Sequence, residues 1–387
     1  MEKIRVAHHT NQLGLGGTEK TMMLFCKYLD KSVFDVYTLT NKYPVSRRKL
    51  VLNALYAFLG SRKALSLKGQ FGMLNCRIPE FKRSFGGNTL HCYSGSGFQK
   101  ILKNLAPHLL HVHHAGAAEP PLSRPKAIAS IPVVITTNVF GQRSFSPAQD
   151  KIDKILFVSY WLMEHATSWS KDDKRCEVLY NPVEKPLTGE NMRAELGIPR
   201  DRFVIGRCGR NADDIHDPIS LNAYKEIENE GTMFLSLSSP PKMIKQARDL
   251  QIKNIRFLEP STDDLFLSKF YNTLDVFAHA RNDGETFGCV IAEAMMHGKP
   301  VVTHRSVMRN AQTELVDPSC GFIADRDDYP AYAAFLRRLL DNTQLRMQMG
   351  TAAGRKALLN FEAAMITKKL ESIYVRELLR KGIRIKD

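Results

Sequence analysis

Two glutamates, Glu285 and Glu293, stand with seven residues between them in "DGETFGCVIAEAMMHGKPVV", residues 283–302. "CVIAEAMM" reads as a helix that is apolar on nearly every face, with Glu293 in its middle. An ionised carboxylate among Val290, Ile291, Ala294 and Met295 is costly unless it finds polar partners. Glu285 falls in the turn that opens this helix, about two turns back along much the same side. Gly284 and Gly288 let backbone approach a ligand closely, and the helix N-terminus offers N–H donors to a phosphate. Gly298 and Pro300 then end the helix. Two acids beside such donors suit a ligand that carries both hydroxyls and phosphates, as a nucleotide sugar does. The plainer account has Glu285 favouring the helix dipole and Glu293 pairing with a core cation.

A second stretch, "GLGGTEKT" at residues 14–21, falls one residue short of two phosphate-binding signatures. As a P-loop it needs glycine before Lys20, and as a dinucleotide fingerprint it needs a third glycine; Glu19 occupies both places. What remains is a buried strand, a glycine turn and a helix with Thr18 as the expected N-cap, an arrangement that offers free backbone N–H groups to an anion. An ordinary strand-to-helix turn has the same composition.

The histidines of "HVHH" are metal-ligand types, but alternation puts His111 and His113 on one strand face and His114 on the other, with no carboxylate cluster nearby. No metal site is expected. His113 is taken as a sugar-contacting or core residue, and His9, at the end of the first strand, as an acceptor-side candidate.

These residues must be positioned by a scaffold, and 387 residues suffice for two domains. Short apolar runs alternate with helical stretches: "IRVAHH", "FDVYTLT", "HLLHVHH", "PVVITTN" and "KILFVSY". After a polar pause at "NPVEKPLTGENMRAELGIPRDR" they resume with "FVIGRCGR", "TMFLSLS", "NIRFLEP", "LDVFAHA", "KPVVTH" and "GFIA". Such alternation predicts two α/β domains with mostly parallel sheets, whose ligands bind at the carboxyl ends of the strands. The seven cysteines are scattered, with no CxxC pair, as in a reducing compartment. No secretory leader or transmembrane span is visible in the sequence, so a cytoplasmic protein is expected.

Charge is uneven. From Lys42 to Lys103 there are twelve Lys or Arg and a single acid, Glu80. Within that segment "LVLNALYAFLG" is flanked by basic triplets, which suits an anionic membrane surface or a lid over an anionic substrate, and equally a buried helix with a solvated rim. No nucleic-acid partner is expected, because the segment has no recognisable binding motif and few interleaved aromatics.

The chain resembles the retaining glycosyltransferases of family 4, which have the GT-B fold of two Rossmann-like domains facing each other across a cleft. The glutamate pair within residues 283–302 is similar to the family signature. "GLGGTEK", "PHLLHVHH", "ILFVSYWL", "VLYNPVE", "FVIGRCGR", "YNTLDVFAHA" and "TELVDPSCGFIA" follow in the family's order over almost the whole chain. The resemblance implies an acceptor-binding domain over 1–183, a nucleotide-sugar domain over 184–365, and a helix over 366–387 that crosses back to the first domain. It implies that Glu285 binds donor-sugar hydroxyls and Glu293 the ribose. Arg210 would neutralise the diphosphate, with N–H groups of Gly16, Gly17, Thr286, Phe287 and Gly288. No cofactor or metal is implied.

The chain departs from the family at two places. The family's lysine five or six residues after the arginine is replaced by Ile215 and His216, leaving His216 as a substitute cation if it is protonated. Asn138 stands where a histidine near the reacting sugar is usual. The implied activity is transfer of a hexose from a UDP- or GDP-linked sugar to a hydroxyl acceptor, such as a growing polysaccharide or lipid-linked glycan, by an enzyme peripheral to the inner membrane face. Alternatives are a degenerate, non-catalytic nucleotide-sugar-binding subunit and, more remotely, an RNA-binding protein.

Overall fold

The computed structural model describes residues 2–41, 77–92, 95–114, 122, 125–143, 148–165 and 169–384. Two compact units divide the chain: 1–157 with 167–179 and 367–387, and 158–166 with 180–366. The basic stretch 42–103 lies in large part, at 42–76 and 93–94, outside the described residues.

The first unit holds a parallel sheet built from β1 (Ile4–Thr10), β2 (Phe34–Asn41), β3 (Thr89–Cys92), β4 (Leu109–His114), β5 (Val133–Asn138), β6 (Lys154–Phe157) and β7 (Cys176–Val178). They lie in the order β3-β2-β1-β4-β5-β6-β7. Every residue of β4 and β5 is buried, as expected for central strands with both faces covered. The register sets His8 opposite His111 and Thr10 opposite His113.

The second unit repeats the plan. β8 (Phe203–Cys208), β9 (Thr232–Leu237), β10 (Ile255–Leu258), β11 (Val276–Ala278), β13 (Val301–His304) and β15 (Gly321–Ala324) form a sheet ordered β10-β9-β8-β11-β13-β15. Two residues each of β12 (Gly284–Glu285) and β14 (Arg309–Asn310) pair separately. Its core gathers Ile205, Tyr224, Phe234, Val276, Val302 and Tyr332. Asp263, Asp328 and Asn342 cap three of its helices through side-chain oxygens.

A boundary at 183, as expected from the polar pause, differs from the observed division. Residues 158–166 already belong to the second unit, because the short helix Tyr160–His165 is anchored there. The Glu314 carboxylate accepts from the N–H of Trp161 at 2.8 Å, and the Ser159 hydroxyl donates to the Thr286 carbonyl at 2.7 Å.

Candidate functional site

In the second unit the strand order reverses between β8 and β11, and open α/β sheets bind ligands beyond the strand ends at that point. Residues after β8 are Gly209 and Arg210; those after β11 are His279, Ala280 and Arg281. Glu285 is delivered beside them by β12. Gly284 makes this possible, since its φ is +69° and any side chain there would strike the Arg309 carbonyl.

Glu285 is fixed by several partners. Its Oε1 accepts from His279 Nε2 at 3.1 Å and lies 3.7 Å from Arg281 Nη1, and its N–H donates to Gln312 Oε1 at 3.2 Å. With Nε2 donating, the His279 ring accepts at Nδ1 from the Thr303 hydroxyl, 3.0 Å away. Burial pushes the Glu285 carboxyl up, but Arg281 and His279 outweigh it and hold the group below its ordinary value. Asp283 accepts from Arg281 at 2.6 Å and from Arg309 at 3.1 Å; burial raises its pKa, the two arginines lower it, and the net direction is down.

The helix Cys289–Met296 opens at Gly288, whose φ of +102° again favours glycine. The N–H groups of Thr286, Phe287 and Gly288 donate to no protein acceptor among the described residues. On the helix itself Glu293 is half-buried, and its Oε2 accepts from the Tyr271 phenol at 2.7 Å. Burial and the Glu293 charge push the Tyr271 pKa far up, so the phenol stays a donor. The structure thus brings Glu285, Glu293 and the 286–288 turn together in one unit.

Arg210 is exposed and lies 3.3 Å from Asp214, and its charge also lowers Asp283. His216 does not supply the missing cation. Its Nε2 meets Gln246 Oε1 at 2.9 Å, and burial, with the charge of Arg207, pushes its pKa down, so the ring is neutral at physiological pH. Arg207, on β8, is buried and was not singled out from sequence.

The first unit places several of the expected residues differently. The helix Gly17–Tyr28 has Gly16 rather than Thr18 as its N-cap. Glu19 folds its carboxylate back over Gly16, where it accepts from the N–H of Gly14, its own N–H and the Gln12 side chain; burial raises its pKa. A carboxylate therefore fills the slot where Gly16 and Gly17 were expected to meet phosphate. Asn138 is equally committed: its amide donates to the Gln142 carbonyl and accepts from the Gly141 N–H, each at 2.8 Å, which makes it a turn residue.

His9 packs edge-on against Phe98 with no exposed surface, and His113 is 1% exposed, so neither presents a face to an acceptor. Instead His8, His111 and His113 form a buried group whose nitrogens lie within 4.8 Å of one another. A hydrogen-bond chain runs from Thr137 through His111, Tyr374 and His8 to His113. Burial pushes all three histidines well below the ordinary value, keeping them neutral. Tyr374 belongs to the helix Ala363–Arg380.

Sequence comparison finds a likeness over the part of the chain that carries this site. Residues 238–356 match the family model "Glycosyl transferases group 1". This part of the second unit is similar to the group 1 glycosyltransferases. That match contains Tyr271, His279, Arg281, Glu285, the 286–288 turn and Glu293, and it begins after Arg207 and Arg210. A D-inositol 3-phosphate glycosyltransferase of Corynebacterium diphtheriae is 31% identical over 208 residues, covering 51% of this chain and 47% of that protein. The chain spans about half the length of the curated relatives it matches.

Solved structures extend the likeness in fold to nearly the whole chain. A glycosyltransferase from Rickettsia africae superposes with TM-score 0.74 at 15% identity, over 98% of this chain and 99% of that one. Anabaena Alr3699/HepE, in complex with UDP and glucose, superposes with TM-score 0.65 at 15% identity, over 96% and 100%. The fold is that of GT-B glycosyltransferases, with two Rossmann-like units. Residues of the matched stretch that the sequence alone does not single out are His279, Arg281 and Tyr271, each of which holds one of the two glutamates. Among the described residues no helix is long and apolar enough to cross a membrane.

Proposed function

We propose that the protein is a retaining glycosyltransferase of family 4, moving a hexose from a nucleoside-diphosphate sugar to a hydroxyl acceptor. One observation carries this: the ionised Glu285, held by His279 and Arg281, stands beside the undonated N–H groups of Thr286, Phe287 and Gly288. A carboxylate accepts from sugar hydroxyls while N–H groups and arginines take the phosphates. Glu293 accepts from ribose hydroxyls, and Arg210 adds charge at the diphosphate.

In the proposed reaction the bond from the anomeric carbon to the diphosphate oxygen breaks, with its electron pair leaving on oxygen. The acceptor oxygen bonds to the same face, and its proton passes to the departing phosphate. Stabilising that departing charge is the main contribution to rate. The assignment places the charge on arginines and backbone donors, without a metal ion. UDP is favoured over GDP as the carrier because an Anabaena neighbour holds UDP with glucose. A growing polysaccharide or lipid-linked glycan is the proposed acceptor, met at the cytoplasmic face of a membrane through the basic segment 42–103.

Release of nucleoside diphosphate from candidate donors tests the proposal, with the anomeric configuration of the product read by NMR. Glu285→Ala should lower turnover by about 10²-fold or more while the fold persists; undiminished turnover, or an inverted product, overturns it. A second reading, a non-catalytic nucleotide-sugar-binding subunit, is favoured by the committed Asn138 and the neutral His216. Tight binding without release would select it.

A further inference from the structure

Three cationic side chains are buried among the described residues: Arg77, Lys154 and Arg207. Arg77 pairs with Glu80 at 2.9 Å and Lys154 with Glu177 at 2.7 Å. Arg207, 4% exposed, makes a single hydrogen bond, from Nη1 to the Ser238 carbonyl at 3.3 Å, and no ion pair among the described residues. A largely buried guanidinium with one long protein contact is costly to keep, because burial weakens its hydration while only one of its five N–H donors gains a protein acceptor. Its retention points to a partner that is present only at certain times.

The position shows what that partner must be. Arg207 leaves β8 near its carboxyl end, and its fork arches over Gly209, where any side chain would press on Nη2 at 3.0 Å. Its charge is felt by His216 on one side and by Arg281 and Glu285 on the other. Glu285 is already engaged by His279 and Arg281, Asp283 by Arg281 and Arg309, and Asp214 by Arg210. Glu285, Asp283 and Asp214 thus each have a cation of their own, and Arg207 has no ion-pair partner among the described residues. The carbonyl it touches belongs to Ser238, a residue held at φ +60°, in the left-handed region.

We propose that Arg207 is a phosphate-binding residue: an oxyanion of a diphosphate enters at the end of β8 and takes the two-point contact that the protein leaves unfilled. The assignment rests on the nucleotide-sugar reading for the identity of the diphosphate, and adds the group that holds it. The charge is supplied from the strand itself, while the neutral His216 in the loop beyond contributes none.

Arg207→Met keeps the length of the stem and removes the charge. The full chain and this variant are compared by thermal unfolding and calorimetry with inorganic pyrophosphate, UDP, GDP and uridine. The variant without ligand is expected to melt at the native temperature or above it, since replacing an uncompensated buried charge by an apolar group is neutral or favourable. UDP and pyrophosphate should bind it on the order of 30-fold or more weakly, as when one partner of a buried charged contact is truncated. Uridine affinity should be unchanged, and R207K should recover part of the loss.

Equal affinity of native and R207M proteins for UDP overturns the assignment and leaves the nucleotide reading intact. Unfolding of R207M also overturns it, because the side chain is then a structural requirement. Binding of pyrophosphate that depends on Arg207, with no preference for UDP or GDP, keeps the assignment and removes the nucleotide-sugar reading. Absence of any anion binding by the native chain ends both.

Discussion

The phenol of Tyr271 donates to Glu293 across 2.7 Å from a ring that is 2% exposed. A residue of the helix Asp264–Thr273 thereby aims a carboxylate on the helix Cys289–Met296. Tyr271 is a positioning residue, since it acts through Glu293. Tyr271→Phe should cost about 1 kcal/mol of stability, the net worth of one hydrogen bond. It should also weaken UDP binding roughly three- to tenfold while leaving pyrophosphate binding alone. Calorimetry with both ligands checks this; an equal loss for both would show a merely structural effect.

Arg281 is the main force holding the Glu285 carboxyl below its ordinary value against burial. In Arg281→Gln the burial cost is less opposed, so the carboxyl pKa rises. The acid limb of donor turnover should then move to higher pH. Profiles of kcat/KM from pH 4 to 8 test this, and coincident acid limbs would show that Glu285 is not the group being read. Asp283 retains Arg309 in this variant, so the loss of stability should be about 3 kcal/mol, the low end for removing one partner of a buried pair.

His8, His111 and His113 are neutral in the fold because burial depresses each well below 6.5. The unfolded chain therefore binds more protons than the folded one once pH drops to that value. Their contribution is fully present above pH 6.5 and is lost as pH falls below it, at up to about 1.4 kcal/mol per pH unit for each group. Urea midpoints at pH 7.5 and 5.5 should separate, and His113→Phe should narrow the gap. A midpoint independent of pH over this range would contradict the neutral assignment.

Glu19 has the opposite sign. Its carboxyl pKa is raised by burial, so the folded state holds the proton more tightly than the unfolded chain. Stability from this group falls as pH climbs above 4.5. Glu19→Gln keeps an oxygen for the Gly14 N–H and should stabilise the protein by about 1 kcal/mol at pH 7, with the gain vanishing near pH 4. If the variant is less stable at pH 7, the ionised form is needed and the burial argument fails.

The fold was legible because hydrophobic runs mark strands whatever their loops do: each strand named from sequence exists, while Thr89–Cys92 (TLHC), Cys176–Val178 (CEV) and the two-residue β12 and β14 carry no apolar run to mark them. The carboxylates were legible for a related reason, since Glu293 interrupts an apolar helix and Glu285 opens it. Their holders were not. Tyr271 and His279 lie 22 and 6 residues away from their partners, and nothing in spacing links them. Of the two arginines in "FVIGRCGR" only burial distinguishes Arg207 from Arg210, and burial depends on the surrounding sheet. Glu19 looked like a defect in a phosphate loop until its own carboxylate was seen to occupy the anion position. Asn138 could have been read as a turn residue, with glycine three positions on.

Glu285 enters any encounter already immobilised: its backbone is stitched to β14 and Gln312, and its side chain is clamped by an imidazole and a guanidinium. A group that cannot travel acts as a ruler. On the proposed function, a hexose whose hydroxyl is axial where Glu285 needs it equatorial, or the reverse, finds no carboxylate following it. Discrimination between epimers would then be inherited from the scaffold and would survive changes in the acceptor.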